Sequence, residues 1–515
     1  MDYRVFKRPR VPSATRLPPL KRAVDHDSFL ASREKLMTRT TRLFAAISLA
    51  ATAFILSAVT TMGQLPIPVQ GQRGGQPQQG QRGQGRGQQP AQPQDPPPVV
   101  SAVATATPEV TGPGKFYETL MQLKPGDDLA HFKYVTKEYF VTGMANGQPY
   151  KTRIVIRKPA DDSKFSGLVL AESMHPSGNP WMFHFTHTYS MTEGHIGLEI
   201  LTTAPQAFAE SNPDRYKDLS VGGGQTNEIL AQVGALIKSK RPDNPLSGLA
   251  VRKMILTGSS ASAGVVVNYL TTHMVQRQAD MKPIYDGFMP TSNGANVRMV
   301  DVPMIQVPTM RETMTGATTR VDGDAPGNQF RVYEFAGMAH IDARDAAAYY
   351  PDPCKLPISR FPLAAYMSVA LNHLWQWIDK GTVPPRADRI YMDWNTDGDG
   401  SLMALDEYGN VRGGIRTPYV DFPTTKIGVP NSGSEPPIKN PHPFIAARGE
   451  AAQNQLCGLA NYELALTQAQ LKKLYKDKKD YQTKVRQRYD ELMKQGWALP
   501  VYRPVVLDDS AKVNF

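Results

Sequence analysis

Three side chains from distant stretches have the types needed for nucleophilic acyl chemistry. Ser260 lies in Leu256-Thr257-Gly258-Ser259-Ser260-Ala261-Ser262-Ala263-Gly264, where an apolar run meets a small-residue turn and then a helical pattern. A serine hydroxyl is a weak nucleophile until a neighbouring base takes its proton. A tight strand-to-helix turn exposes such a hydroxyl, and small neighbours let the two backbones approach closely. The start of the helix then offers N–H groups to a developing oxyanion, with Ala261 supplying one. Ser262 stands where such turns more often carry a final glycine. A serine-rich helix cap is the alternative reading of the same residues.

The base is read from Glu334-Phe335-Ala336-Gly337-Met338-Ala339-His340-Ile341-Asp342, where His340 follows an apolar run and a glycine turn. A carboxylate must orient the imidazole and stabilise its charge. Glu312 lies just beyond the run Pro303–Val307, at the strand end where open α/β sheets place their sites. Asp322, Asp324 and Asp342 are its competitors by spacing. The chain order serine, acid, histidine suits a hydrolase triad. A second oxyanion donor is expected from the loop after 167–173. Pro176 has no N–H, so the donor is His175 or Ser177. Trp181, His184 and His187 crowd the same stretch and are expected to line a substrate pocket, although ordinary loop aromatics would look the same.

Positioning these groups requires alternating strands and helices. Strands are expected at 150–157, 167–173, 195–201, 254–257, 303–307 and 329–335, and helices at 227–238, 263–275 and 361–379, the last closed by Gly381 and Pro384-Pro385. That alternation predicts a mostly parallel sheet with helices on both faces. Folded structure is expected to begin near Gly114 and the core to run over 114–385. Residues 386–450 are rich in Gly, Pro and Asn. Residues 467–495 read as a charged helix pair docked on the main domain, with an apolar stripe of Tyr481, Val485, Tyr489, Leu492 and Met493 and Gly496 as its C-cap. The segment 386–515 is therefore read as a loop-rich and helical extension packed on the core.

The 515 residues are 41% apolar and 20% charged, enough for a sizeable core. The net charge of +11 is misleading. Residues 1–42 carry 11 Lys/Arg against 4 Asp/Glu, and 43–100 carry three Arg against one Asp, so +9 lies in the first hundred residues. The body is near neutral, which argues against a nucleic-acid partner. Leu43–Val59 is an uncharged 17-residue run preceded by Arg39 and Arg42, the pattern of a secretory signal, with a small-residue cleavage site at Thr61-Met62-Gly63. A retained membrane anchor is the alternative, at the short limit for spanning. Met37 opens a normal signal by itself, so translation is expected to start there. Residues 64–98 contain 12 Gln, 7 Gly, 8 Pro and 3 Arg and read as the main part of a disordered linker over 64–113.

Cys354 and Cys457 are the two cysteines, too few for a cysteine-rich metal site. In an oxidising compartment they are expected to pair and pin the C-terminal segment to the stretch after His340. Asp393, Asn395, Asp397 and Asp399 follow the first half of a calcium loop, but Ala404 stands where the bidentate glutamate belongs. The stretch Asp393–Ser401 is therefore read as an acidic turn. No metal or cofactor is expected.

Residues 115–510 resemble a family of exported proteins with an alpha/beta-hydrolase domain. The resemblance rests on GLVLAES with HPSGN (167–179), NPDRYKDL (212–219), GSSASAG (258–264), VPMIQVPTMRET (302–313), FRVYEFAGMAH (330–340), WIDKGTVPPRA (377–387), DEYGNVRGGIRTPYVD (406–421) and LCGL (456–459). It implies an alpha/beta-hydrolase fold and supports Glu312 as the acid. It supplies a reaction type rather than a substrate, and together with the export signal it leads to the expectation of a periplasmic or secreted serine hydrolase acting on a small-molecule or polymeric ester. An amidase, a polymer depolymerase and a non-catalytic binding protein of the same fold are the rivals.

Overall fold

The computed structural model describes residues 95–203, 206–341, 343–344, 352–393, 403–436 and 449–515. The expected signal segment, the glutamine-rich stretch 64–94 and the acidic turn after Asp393 lie outside the described residues. Among the described residues no helix is long and apolar enough to cross a membrane.

The principal sheet has nine strands among the described residues. In chain order they are β1 (Thr105–Ala106), β2 (Tyr134–Ala145), β3 (Gln148–Pro159), β4 (Leu168–Ser173), β5 (Ile196–Ile200), β6 (Lys253–Ser259), β7 (Gly287–Thr291), β8 (Met304–Gln306) and β9 (Phe330–Val332). Their spatial order is β9-β8-β7-β6-β4-β5-β3-β2-β1. The first six in that order pair in parallel, and β3, β2 and β1 complete the sheet antiparallel. The carboxyl ends of β4, β6, β7, β8 and β9 therefore share one edge.

Side chains alternate between faces with a period of two, and here both faces are apolar because both are covered. Met254 and Leu256 of β6, with Val169 and Ala171 of β4, join one core. Ile255 of β6, with Leu168 and Leu170 of β4, join the other. The helices that cover the sheet are α1 (Trp181–Glu193), α2 (Thr226–Lys238), α3 (Ala261–Val275), α4 (Met310–Gly316) and α5 (Leu363–Lys380). Residues of α2 and α3 belong to the first core, and those of α1 and α5 to the second. The C-cap of α5 is Gly381 at φ 69°, as its sequence predicts.

Ordered chain begins earlier than Gly114. Val99–Val100 pairs with Gln276–Arg277, and β1 extends the sheet at its edge, both inside the stretch expected to be linker. Two-residue strands leave no periodicity to read. Trp181–Glu193 is a helix rather than a loop. Nearly every residue of α1 between Met182 and Met191 is buried, so its sequence shows no polar face to mark a helical period.

The C-terminal helical stretch divides into two helices. Gln468–Leu474 ends before Asp477, whose carboxylate caps α6 (Lys478–Gln495) through the Asp480 N–H at 2.8 Å. Tyr481, Val485, Tyr489 and Leu492 are buried as expected. The extension docks on the second core through Trp497 and Tyr502, whose hydroxyl lies 2.8 Å from that of Ser368.

Cys354 and Cys457 form a disulfide with Cα atoms 5.5 Å apart, closing a separation of 103 residues. The same region is tied by bridges Ile341–Ala460 and Ile358–Tyr462. Closing so long a loop restricts the unfolded chain, an effect of about 2–5 kcal/mol. A Cys457→Ser variant is expected to lose stability of that order in denaturant titrations, and an unchanged midpoint would contradict the contribution.

Candidate active site

Ser260 stands between β6 and α3 with φ 57° and ψ −118°, a backbone conformation that costs a non-glycine residue roughly 1–3 kcal/mol. The neighbouring sequence makes that turn possible. A Cβ on Gly258 would sit 2.4 Å from the Ser262 carbonyl oxygen, so only glycine lets strand and helix approach there. Ser262, the departure from the usual glycine, is buried and closes the turn with its hydroxyl. It accepts from the Ser259 N–H at 3.0 Å and donates to the Ser259 carbonyl at 2.9 Å. Ser260 itself is half-buried and its side chain does not cap α3. The helix-cap alternative therefore does not hold for Ser260.

Backbone bonds then run along the carboxyl edge. The Ser260 N–H donates to Thr291 at the end of β7 at 3.0 Å, and the Ser292 N–H to Val307 beyond β8 at 2.8 Å. The Met310 N–H, opening α4, donates to Met338 in the loop after β9 at 3.0 Å. Adjacent strands lie about 4.8 Å apart, so β6 and β8 are separated by roughly 10 Å.

Glu312 and His340 are in direct contact, with His340 Nδ1 2.7 Å from Glu312 Oε1. Both are largely buried. The second carboxylate oxygen, Oε2, accepts from the Thr309 N–H at 3.0 Å and from the Thr309 hydroxyl. Burial alone would raise the Glu312 pKa. The neighbouring His340 and the Thr309 bonds outweigh it and hold the carboxyl below its ordinary range. An ionised Glu312 fixes a proton on His340 Nδ1 and leaves Nε2 as the basic atom. The Ser260 hydroxyl is hydrogen-bonded to neither partner in this structure. Such contacts often tighten only with substrate.

The competing acids are engaged elsewhere or undescribed. Asp324 pairs with Arg331 and Arg386, and Asp322 accepts from the Val332 N–H at 3.0 Å. Asp342 lies outside the described residues.

The loop after β4 departs from expectation. The His175 N–H donates to the Asn179 carbonyl at 3.2 Å, and the Ser177 N–H donates to His175 Nδ1 at 3.0 Å. Both backbone groups expected to serve an oxyanion are thus engaged within the turn, because a compact turn closes on its own donors. Trp181 remains beside this loop, its indole N–H donating to Ser177 Oγ at 3.0 Å. His184 and His187 are buried in α1, and His187 Nε2 is 3.1 Å from an Asp127 carboxylate oxygen. Helical spacing turns that imidazole towards the 124–132 segment.

Glu172 carries no sequence motif, yet it positions this loop. Its buried carboxyl, on β4, accepts from the Met182 and Phe183 N–H groups of α1 at 3.0 and 2.9 Å. Pro180 at the N-cap of α1 makes no side-chain cap of its own. Asn461 also escaped notice. Its side-chain N–H donates to the Gly337 carbonyl at 3.1 Å, within the turn that leads to His340.

A parallel sheet carrying a strained serine turn, with an acid–imidazole pair at the same edge, has the architecture of an α/β hydrolase. The profile of the alpha/beta hydrolase domain family matches residues 103–507, and the chain belongs to that family. No curated protein matches the sequence. Solved structures to which the chain is similar include a thermostable esterase from Pseudomonas putida ECU1011, at 10% identity over 48% of this chain and 88% of that one, TM-score 0.30. A cold-adapted esterase from an Arctic intertidal metagenomic library is 10% identical over 39% of this chain and 84% of that one, TM-score 0.21. A hyperthermophilic esterase from the archaeon Pyrobaculum calidifontis is 10% identical over 31% of this chain and 46% of that one, TM-score 0.21. These likenesses are too distant to bear on substrate.

Two outcomes follow from the geometry. Ser260→Gly relieves the backbone strain that Ser260→Ala retains, so in thermal or denaturant unfolding the glycine variant is expected to be the more stable by ~1–3 kcal/mol. Equal stabilities would mean that the turn is unstrained. Burial pushes Glu172 up to about 8, against the pull of the Phe183 and Met182 N–H groups. A folded value above the unfolded one stabilises the protein at low pH, and that contribution is lost as pH rises from about 4.5 through 8. Glu172→Gln is expected to flatten the fall in stability between pH 5 and 8; parallel curves for the two proteins would refute the shift.

Proposed function

We propose that this α/β hydrolase is an exported serine carboxylic-ester hydrolase in which Ser260 is the nucleophile, His340 the general base and Glu312 the orienting acid. The observation that carries the proposal is the Glu312–His340 pair standing at the sheet edge on which the strained Ser260 turn opens. His340 Nε2 takes the Ser260 hydroxyl proton as Oγ bonds the acyl carbon. The carbonyl electrons move onto oxygen, where the Ala261 N–H at the exposed start of α3 stabilises them. Collapse breaks the ester C–O bond, and His340 passes its proton to the leaving alcohol. Water then attacks the acyl-enzyme as His340 takes its proton, and collapse breaks the acyl C–Oγ bond, His340 returning the proton to Ser260 Oγ as the carboxylic acid leaves. Trp181, beside the loop after β4, contributes a wall of the substrate pocket. The disulfide supports export to an oxidising compartment.

The wild type is expected to hydrolyse short p-nitrophenyl esters and to be labelled by a fluorophosphonate. Ser260→Ala and His340→Ala should lower kcat by about 10⁶-fold, and Glu312→Gln by about 10⁴-fold, with unlabelled Ser260→Ala. Full ester turnover by Ser260→Ala would overturn the assignment. An amide panel run alongside separates an esterase from an amidase.

A further inference from the structure

A tetrahedral oxyanion needs more than one donor, and Ala261 supplies one. The loop 174–180, which follows β4 at the same sheet edge, has little backbone left to give. His175 and Ser177 donate within the turn, the Gly178 N–H donates to the His175 carbonyl at 2.8 Å, and Pro176 and Pro180 have no N–H. Two donors of this loop remain, the Asn179 N–H and the His175 side chain. A ring nitrogen that accepts an N–H carries a lone pair and no proton. Since Nδ1 accepts from the Ser177 N–H at 3.0 Å, the imidazole proton is on Nε2.

The ring is also anchored. Ser177 Oγ lies 2.8 Å from His175 Nδ1 and accepts the Trp181 indole N–H at 3.0 Å, so the acceptor edge of the imidazole is fixed to its own loop. The Nε2–H is on the opposite edge. His175 stands two residues beyond β4, and β4 is the direct neighbour of β6, which ends at Ser259. Desolvation, and then the charge of His340, hold the His175 pKa down to about 3, so the ring is neutral at ordinary pH. A neutral imidazole is a fixed hydrogen-bond donor that does not compete with His340 for the nucleophile's proton.

We propose that the Nε2–H of the His175 side chain, oriented by Ser177 and Trp181, is the second oxyanion donor, opposite the Ala261 N–H. This deepens the serine-hydrolase reading and rests on it. No proton leaves His175 in the step. As Ser260 Oγ bonds the acyl carbon, the carbonyl π electrons move to oxygen and the two N–H groups hold the charge until the C–O bond of the leaving group breaks.

The experiment compares wild type, His175→Phe and His175→Gln on a p-nitrophenyl ester, and measures inhibition by a trifluoromethyl ketone, which forms a tetrahedral adduct with the serine. His175→Phe should lose about 10²–10³-fold in kcat with KM within about twofold. Its affinity for the ketone should fall by the same factor as kcat/KM, and His175→Gln, which keeps an N–H donor of similar reach, should recover part of both. Nitrogen-15 NMR of the wild type should show a neutral, Nε2-protonated His175 from pH 6 to 8, a result independent of any variant's folding. Full activity and ketone affinity in both variants, or an Nδ1-protonated ring, would overturn the proposal and return the role to a backbone group such as the Asn179 N–H. A wild type inert to both ester and fluorophosphonate would instead defeat the serine-hydrolase reading beneath it.

Discussion

The parallel pairing of β4, β6, β7, β8 and β9 is the constraint on which the site depends. Parallel strands send their following loops to a single edge, so five segments far apart in sequence emerge at that edge. Ordinary backbone hydrogen bonds then lock those loops together, from Ser260 to Thr291, Ser292 to Val307 and Met310 to Met338. The Glu312–His340 pair is the last link in this series. The strain at Ser260 persists because the strand before it and the helix after it are both fixed by the core, and Gly258 and Ser262 adapt the turn to that demand.

The extension beyond the core contributes to the same edge. Asn461 holds the Gly337 carbonyl, Ala460 bridges Ile341, and the disulfide fastens Cys457 to the stretch after the histidine. These contacts bracket His340 on both sides in sequence. Upstream, Glu334 is buried and accepts from Arg389 and the Ile390 N–H, which draws the loop-rich segment onto the end of β9. The C-terminal segment is thus part of what orients the base.

Much of this was legible in the residues. The apolar run of β6, the small-residue turn and the order of Ser260, Glu312 and His340 carry the site, because tight turns and strand ends restrict residue type. Other parts were silent for physical reasons. Helix α1 is buried around its circumference and shows no period. Strand β7, Gly-Phe-Met-Pro-Thr, has neither alternation nor β-branched enrichment. The β2–β3 hairpin was passed over, although it turns on Asn146-Gly147, both at positive φ, a pair that a two-residue hairpin turn favours. Donor use in the 175–179 loop could not be read, since a sequence shows which N–H groups exist and not which are already engaged. Glu172 was hidden in an apolar strand, where its partners come from a helix the pattern did not reveal.

The most direct test of convergence is a crystal structure of the protein after reaction with a phosphonate ester. The account predicts phosphorus bonded to Ser260 Oγ, His340 Nε2 within hydrogen-bond reach of that oxygen, and Glu312 still on Nδ1. A phosphorus atom on another side chain, or an imidazole that stays out of reach of the adduct, would contradict it.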